Sequence, residues 1–149
     1  MSWDIFVQDI PRGARDAGDI PEDFQPRPLG ERSEVIRRIL EVVPEADFSD
    51  PTWGTVEEPE YSIEFNIGDE DEIMAFALHV RGGEAAAGLV ADLLARCGWR
   101  AFDTASESGI FDPASAADSL KRWRAHRDRA VRGRNEERGA PSRPSPLPK

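Results

Sequence analysis

One cysteine, Cys97, is present in 149 residues. A single thiol cannot close an internal disulfide and provides no cysteine-based metal cluster. The two histidines, His79 and His126, stand far apart with no second ligand beside either, so no metal site is expected. The chain has no Gly-x-Ser-x-Gly, His-Glu-x-x-His or Cys-x-x-Cys spacing. Arg81-Gly82-Gly83 lacks both the Lys-Ser/Thr of a phosphate-binding loop and the spacing of a dinucleotide fingerprint. We therefore expect no catalytic residue and no cofactor. No apolar run approaches the roughly 20 residues that span a bilayer. Residues 1–9 lack the basic-then-apolar order of a secretory signal. Together these absences lead to the expectation of a soluble, cytoplasmic protein with no membrane association.

Basic residues are also scarce through most of the chain. From Met1 to Asp112 there are 25 acids against nine bases, a net charge of −16. From Pro113 to Lys149 there are four acids against 10 bases, a net charge of +6. The acidic body should repel nucleic acid and anionic membrane, whereas the basic end could attract either or fold back on the body. The length suits one domain, and the 39% hydrophobic content is enough for a core.

Hydrophobic periodicity outlines the elements. Trp3, Ile5 and Val7 alternate with Asp4, Phe6 and Gln8, which predicts an inner strand over residues 3–9 with both faces partly apolar. Seven prolines and glycines between Pro11 and Gly30 predict a long loop, pinned by Ile20, Phe24 and Leu29. Val35, Ile36, Ile39, Leu40 and Val43 predict a helix over 31–43 that Pro44 ends. Asp47, Ser49, Asp50 and Pro51 predict a turn, and Thr52–Val56 a short strand, with any pairing near Pro59 at a sheet edge. Tyr61, Ile63, Phe65 and Ile67, then Met74, Phe76, Leu78 and Val80, predict a β-hairpin around Gly68–Asp71. Leu89, Val90, Leu93, Leu94 and Cys97 predict a helix over 84–97 with Gly98 closing it. Trp99–Thr104 predicts a further strand, and Ile110-Phe111 a short one.

Leu120 and Trp123 give a thin apolar stripe to a third helix expected from Ala114 to about Arg132. The expected fold class is α+β: a single mixed, mainly antiparallel sheet of four to five strands with two to three packed helices. Residues 1–132 would form one domain, and 133–149 a disordered basic tail rich in Pro, Ser and Arg.

Gly68-Asp69-Glu70-Asp71-Glu72 is the densest acidic run. Its contiguous acids lack the alternating spacing of a calcium loop, so a solvated turn is the simpler reading. Glu57, Glu58, Glu60, Asp69, Glu70, Asp71 and Glu72 are the candidate partner-binding residues, placed around one hairpin. His79, Arg81 and Arg100 are candidate anion or ligand contacts. Cys97, on an apolar helix face, reads as a buried inert thiol.

Met1-Ser2-Trp3-Asp4-Ile5-Phe6-Val7-Gln8-Asp9, Ala77-Leu78-His79-Val80-Arg81-Gly82-Gly83 and Gly98-Trp99-Arg100-Ala101-Phe102-Asp103 resemble a group of small uncharacterised bacterial proteins. The last segment, followed by Ile110-Phe111-Asp112, is also similar to small immunity-type proteins encoded with bacterial toxins. The resemblance spans about residues 1–125 and carries over no active-site residue. It implies a stand-alone bacterial cytoplasmic protein that binds another protein.

The expected function is a non-enzymatic binding protein that docks a basic protein partner through an acidic surface, immunity-like in character. Two alternatives remain at this point. One is an unrecognised enzyme or small-ligand-binding protein using His79, Arg81 or the acidic cluster. The other is a nucleic-acid accessory protein acting through the basic C-terminal helix. A pocket with converging polar groups would favour the first alternative, and salt-dependent DNA binding the second.

Overall fold

Trp3, Ile5 and Val7 are completely buried, and Asp4, Phe6 and Gln8 between them are not. This alternation makes Trp3–Gln8 a strand, β1, with one face in the core. In the computed structural model, which describes residues 2–82 and 84–113, ten further elements follow. They are a 3-10 turn Ala17–Asp19, β2 (Gly30–Glu31), α1 (Arg32–Val42), β3 (Asp47–Asp50), β4 (Trp53–Glu57), β5 (Tyr61–Asn66), β6 (Glu72–Ile73), β7 (Ala75–Gly82), α2 (Glu84–Cys97) and β8 (Arg100–Asp103). The expected third helix over 114–132 and the tail 133–149 lie outside the described residues.

The main sheet has the order β3-β4-β5-β7-β1-β8, and every neighbouring pair is antiparallel. The α+β class and the antiparallel character agree with the sequence reading. The sheet has six strands rather than four to five, and among the described residues no parallel pair makes it mixed. The strand missed is β3. Asp47-Phe48-Ser49-Asp50-Pro51 has turn composition, and three of the four β3 side chains are exposed. Phe48 holds the strand in place, packing against Phe65 with ring centroids 5.6 Å apart. Gly54 of β4 makes room for it, since a Cβ there would lie 2.3 Å from the Phe48 ring. With β3 at the edge, β4 is an inner strand. Pro59 occupies the tight β4–β5 turn, where Glu58 and Tyr61 exchange backbone hydrogen bonds of 2.9 and 3.3 Å.

β5 and β7 pair as expected, with Phe65 opposite Leu78 and Ile63 opposite Val80. Their connection is longer than a tip of four residues. It contains β6, which pairs with β2, and the Asp71 carbonyl accepts the Arg32 N–H at the start of α1 (2.8 Å). That detour shifts the phase by one residue. Ile73 is buried, and Met74, expected to point inward, is 43% exposed.

Both helices cover the same face of the sheet. Val35 and Ile39 of α1, with Val43 just beyond it, are buried against this face. Val90, Leu93 and Leu94 of α2 pack beside them, against Ile5, Val7, Ile63, Phe65, Leu78 and Val80. Gly98 adopts φ +66°, and the N–H groups of Gly98 and Trp99 donate to Ala95 and Leu94 at the end of α2, as the expected glycine cap requires. α2 carries the chain from β7 to β8, so these two strands flank β1. The loop after β1 is pinned chiefly by Ile10 and Ala14, which form a small satellite cluster with Ile110. Among the described residues, no helix is long and apolar enough to cross a membrane.

Candidate protein-docking face

Period-two alternation puts a second set of side chains on the sheet face away from α1 and α2. The registers align one row across five strands: Trp53 opposite Asn66, Asn66 opposite Ala77, Ala77 opposite Phe6, and Phe6 opposite Phe102. Five strands at the usual spacing make this row roughly 19 Å long. Phe6 is 39% exposed and Trp53 37% exposed. Phe6, Ala75, Ala77 and Phe102 line a shallow depression of about 670 Å³. Isolated exposed apolar residues are ordinary, but aromatics aligned in register on a face that no helix covers among the described residues form a patch.

The next row is polar. Thr55 pairs with Glu64, Glu64 with His79, and His79 with Asp4. His79 Nδ1 donates to Asp4 Oδ1 at 2.8 Å, and the Ser2 hydroxyl donates to the same oxygen at 2.5 Å. The imidazole also stacks on Trp53, with centroids 6.0 Å apart and planes 25° off parallel. Arg81 pairs with Glu64 at 3.3 Å. His79 and Arg81 therefore share this face, each engaged by a neighbouring carboxylate. Arg100 is elsewhere: its guanidinium donates to the carbonyls of Pro11 and Ala14 in the loop after β1. The three candidate ligand contacts do not converge.

The seven candidate acids divide into two groups. Glu57, Glu58 and Glu60 lie at the β4–β5 turn, and Asp69, Glu70, Asp71 and Glu72 lie past the other end of β5. Six strand residues separate the groups, roughly 20 Å. All seven are exposed, and none forms an ion pair among the described residues. Glu57 shares the open face with Trp53 and Thr55 by its phase on β4.

Cys97 is buried, and burial pushes its thiol up from the ordinary value while Arg38 pulls in the opposite direction. It is unsuited to act as a nucleophile. No group of three or more His, Cys, Asp or Glu suited to a metal ion occurs among the described residues. Asp103 was not singled out by sequence. It is the one buried charged residue in the described core, its Oδ1 accepting the Trp3 indole N–H at 2.8 Å and the Ala105 N–H at 2.9 Å.

Sequence reading also missed the aromatics of the open face as a group. Their signal was present in Phe6, out of phase with its buried neighbours, but without β4 and β8 in register nothing joined it to Trp53 and Phe102. No protein-family model matches the chain, and neither a curated protein nor a solved structure matches it significantly.

Proposed function

We propose that this chain is a non-enzymatic binding protein whose open sheet face docks a basic protein partner. The observation that carries the reading is the in-register row opposite the helices, in which Trp53 and Phe6 are exposed and Phe102 is partly buried. Aromatic side chains of this kind anchor interfaces because they bury much apolar area at little entropic cost. Charge specifies the partner. The body carries −16 through Asp112, and two groups of acids with no ion pair among the described residues stand beyond the two ends of β5. Such charge steers a cationic surface toward the face and disfavours acidic competitors. The sequence resemblance to small bacterial immunity-type proteins points to the same class of function, and cytoplasmic residence would suit it.

The test begins with affinity capture from the native host, using the full chain as bait. Binding is then measured for wild type, for Phe6→Arg and Trp53→Arg, and for Glu57→Lys with Glu58→Lys and Glu60→Lys. Each aromatic variant should lose about 2 kcal/mol or more of binding free energy. The charge-reversed triple variant should bind with a slower on-rate and a weaker salt dependence. A partner that binds both aromatic variants as tightly as wild type would exclude this face as the docking surface.

A further inference from the structure

We propose a second, independent site: the cleft where β1 ends and β8 begins binds a small ligand carrying two or more oxyanion charges. The reasoning starts from where the arginines go. Nine lie between Met1 and Asp112. Arg37, Arg81 and Arg96 are paired with carboxylates. Arg12, Arg27, Arg38 and Arg100 line a single cleft of about 500 Å³, and none of these four has a carboxylate within ion-pair distance among the described residues. The one acid in its lining is Asp9, whose Oδ2 accepts the Arg27 backbone N–H at 2.9 Å. Among the described lining residues, four arginines stand against one aspartate and, in a body of net −16, reverse the local sign of charge. A concave site with partly apolar walls focuses such a field and raises the local concentration of anions.

Two of the four arginines are braced. Arg38, from α1, lies over the Trp99 ring at 5.1 Å and donates to the Cys97 carbonyl at 2.5 Å. Arg100 donates to the carbonyls of Pro11 and Ala14. A guanidinium has five N–H donors, so these bonds orient the groups and leave donors over. Arg12 and Arg27 are exposed, and their side chains make no hydrogen bond among the described residues. The end of α2 borders the same cleft, and a helix C-terminus ordinarily repels anions. Here its last carbonyls are occupied: Leu94, Ala95 and Cys97 accept from Trp99 N–H, Gly98 N–H and Arg38. The volume falls within the range of small-molecule sites, and the guanidinium fork matches the paired oxygens of phosphate and carboxylate.

The experiment is isothermal titration of the full chain at low ionic strength. Sodium pyrophosphate and sodium citrate serve as separate probes, distinguishing a phosphate from a carboxylate ligand. Saturable one-site binding of either is expected. Arg12→Gln and Arg27→Gln should each weaken it about tenfold, the cost of losing one charge-assisted contact. Their circular dichroism should be unchanged, because neither side chain holds the fold. Arg96→Gln, paired with Asp92 on α2, should bind as wild type. The proposal is overturned if neither probe gives saturable heat at millimolar concentration, or if the Arg12→Gln/Arg27→Gln double variant binds as tightly as wild type.

Discussion

Asp103 offers a sharp test of how the edge of the sheet is held. It is 1% exposed, and one oxygen does all the recorded work, accepting from the Trp3 indole and the Ala105 backbone. Its other oxygen, Oδ2, is buried with no hydrogen-bond partner among the described residues. Asp103→Ala strips one buried and one part-buried donor of their acceptor, at about 1–3 kcal/mol each. It also removes the carboxylate oxygen that has no partner, which returns about 1–3 kcal/mol. The net loss should be about 1–3 kcal/mol. Asp103→Asn keeps an acceptor at Oδ1 for both donors and exchanges one unpartnered group for another, so it should cost under about 1 kcal/mol. Urea denaturation followed by circular dichroism measures both, with an unchanged m-value confirming that the native and unfolded states remain comparable. The reasoning fails if Asp103→Asn is as damaging as Asp103→Ala. It also fails if Asp103→Ala has no cost, since the Trp3 and Ala105 bonds would then contribute nothing net.

Phe65 is 1% exposed and packs on Phe48, so Phe65→Ala should cost about 3–5 kcal/mol in the same assay. Gly82 has φ +115°, and a Cβ there would lie 2.3 Å from the Glu60 carbonyl oxygen and 2.4 Å from Tyr61 Cα. Gly82→Ala should therefore lose about 2–4 kcal/mol from backbone strain and overpacking together, read as a lower denaturation midpoint. Asp47 is held below its ordinary value of 3.8 by hydrogen bonds from the Ser49 hydroxyl and backbone N–H. Its ionised form is thus favoured by folding, a contribution present above the unfolded pKa and lost as pH falls through the lower folded one. An NMR titration should show Ser49→Ala raising the Asp47 pKa toward the ordinary value.

The local elements were legible because hydrophobic periodicity is a local property. The phase of Trp3, Ile5 and Val7 set β1, the spacing from Leu89 to Cys97 with Gly98 after it set α2, and Ile63 and Phe65 set the buried side of β5. β3 escaped because the contact that makes Asp47–Asp50 a strand, Phe48 seated over Gly54 and against Phe65, joins residues from three strands. Met74 was misread because β6 pairs with β2, more than 40 residues earlier, and that pairing shifts the phase of the chain. The sites depended even more on tertiary structure. Acids that looked like one cluster around a hairpin are separated by the length of β5. Arg100 parts from His79 and Arg81, joining Arg12, Arg27 and Arg38 from the loop and α1 instead. Composition determined that the body is acidic and short of catalytic motifs. Only strand order and register decided which side chains meet, because residues distant in the chain become neighbours through hydrogen-bond ladders and packing that periodicity does not encode.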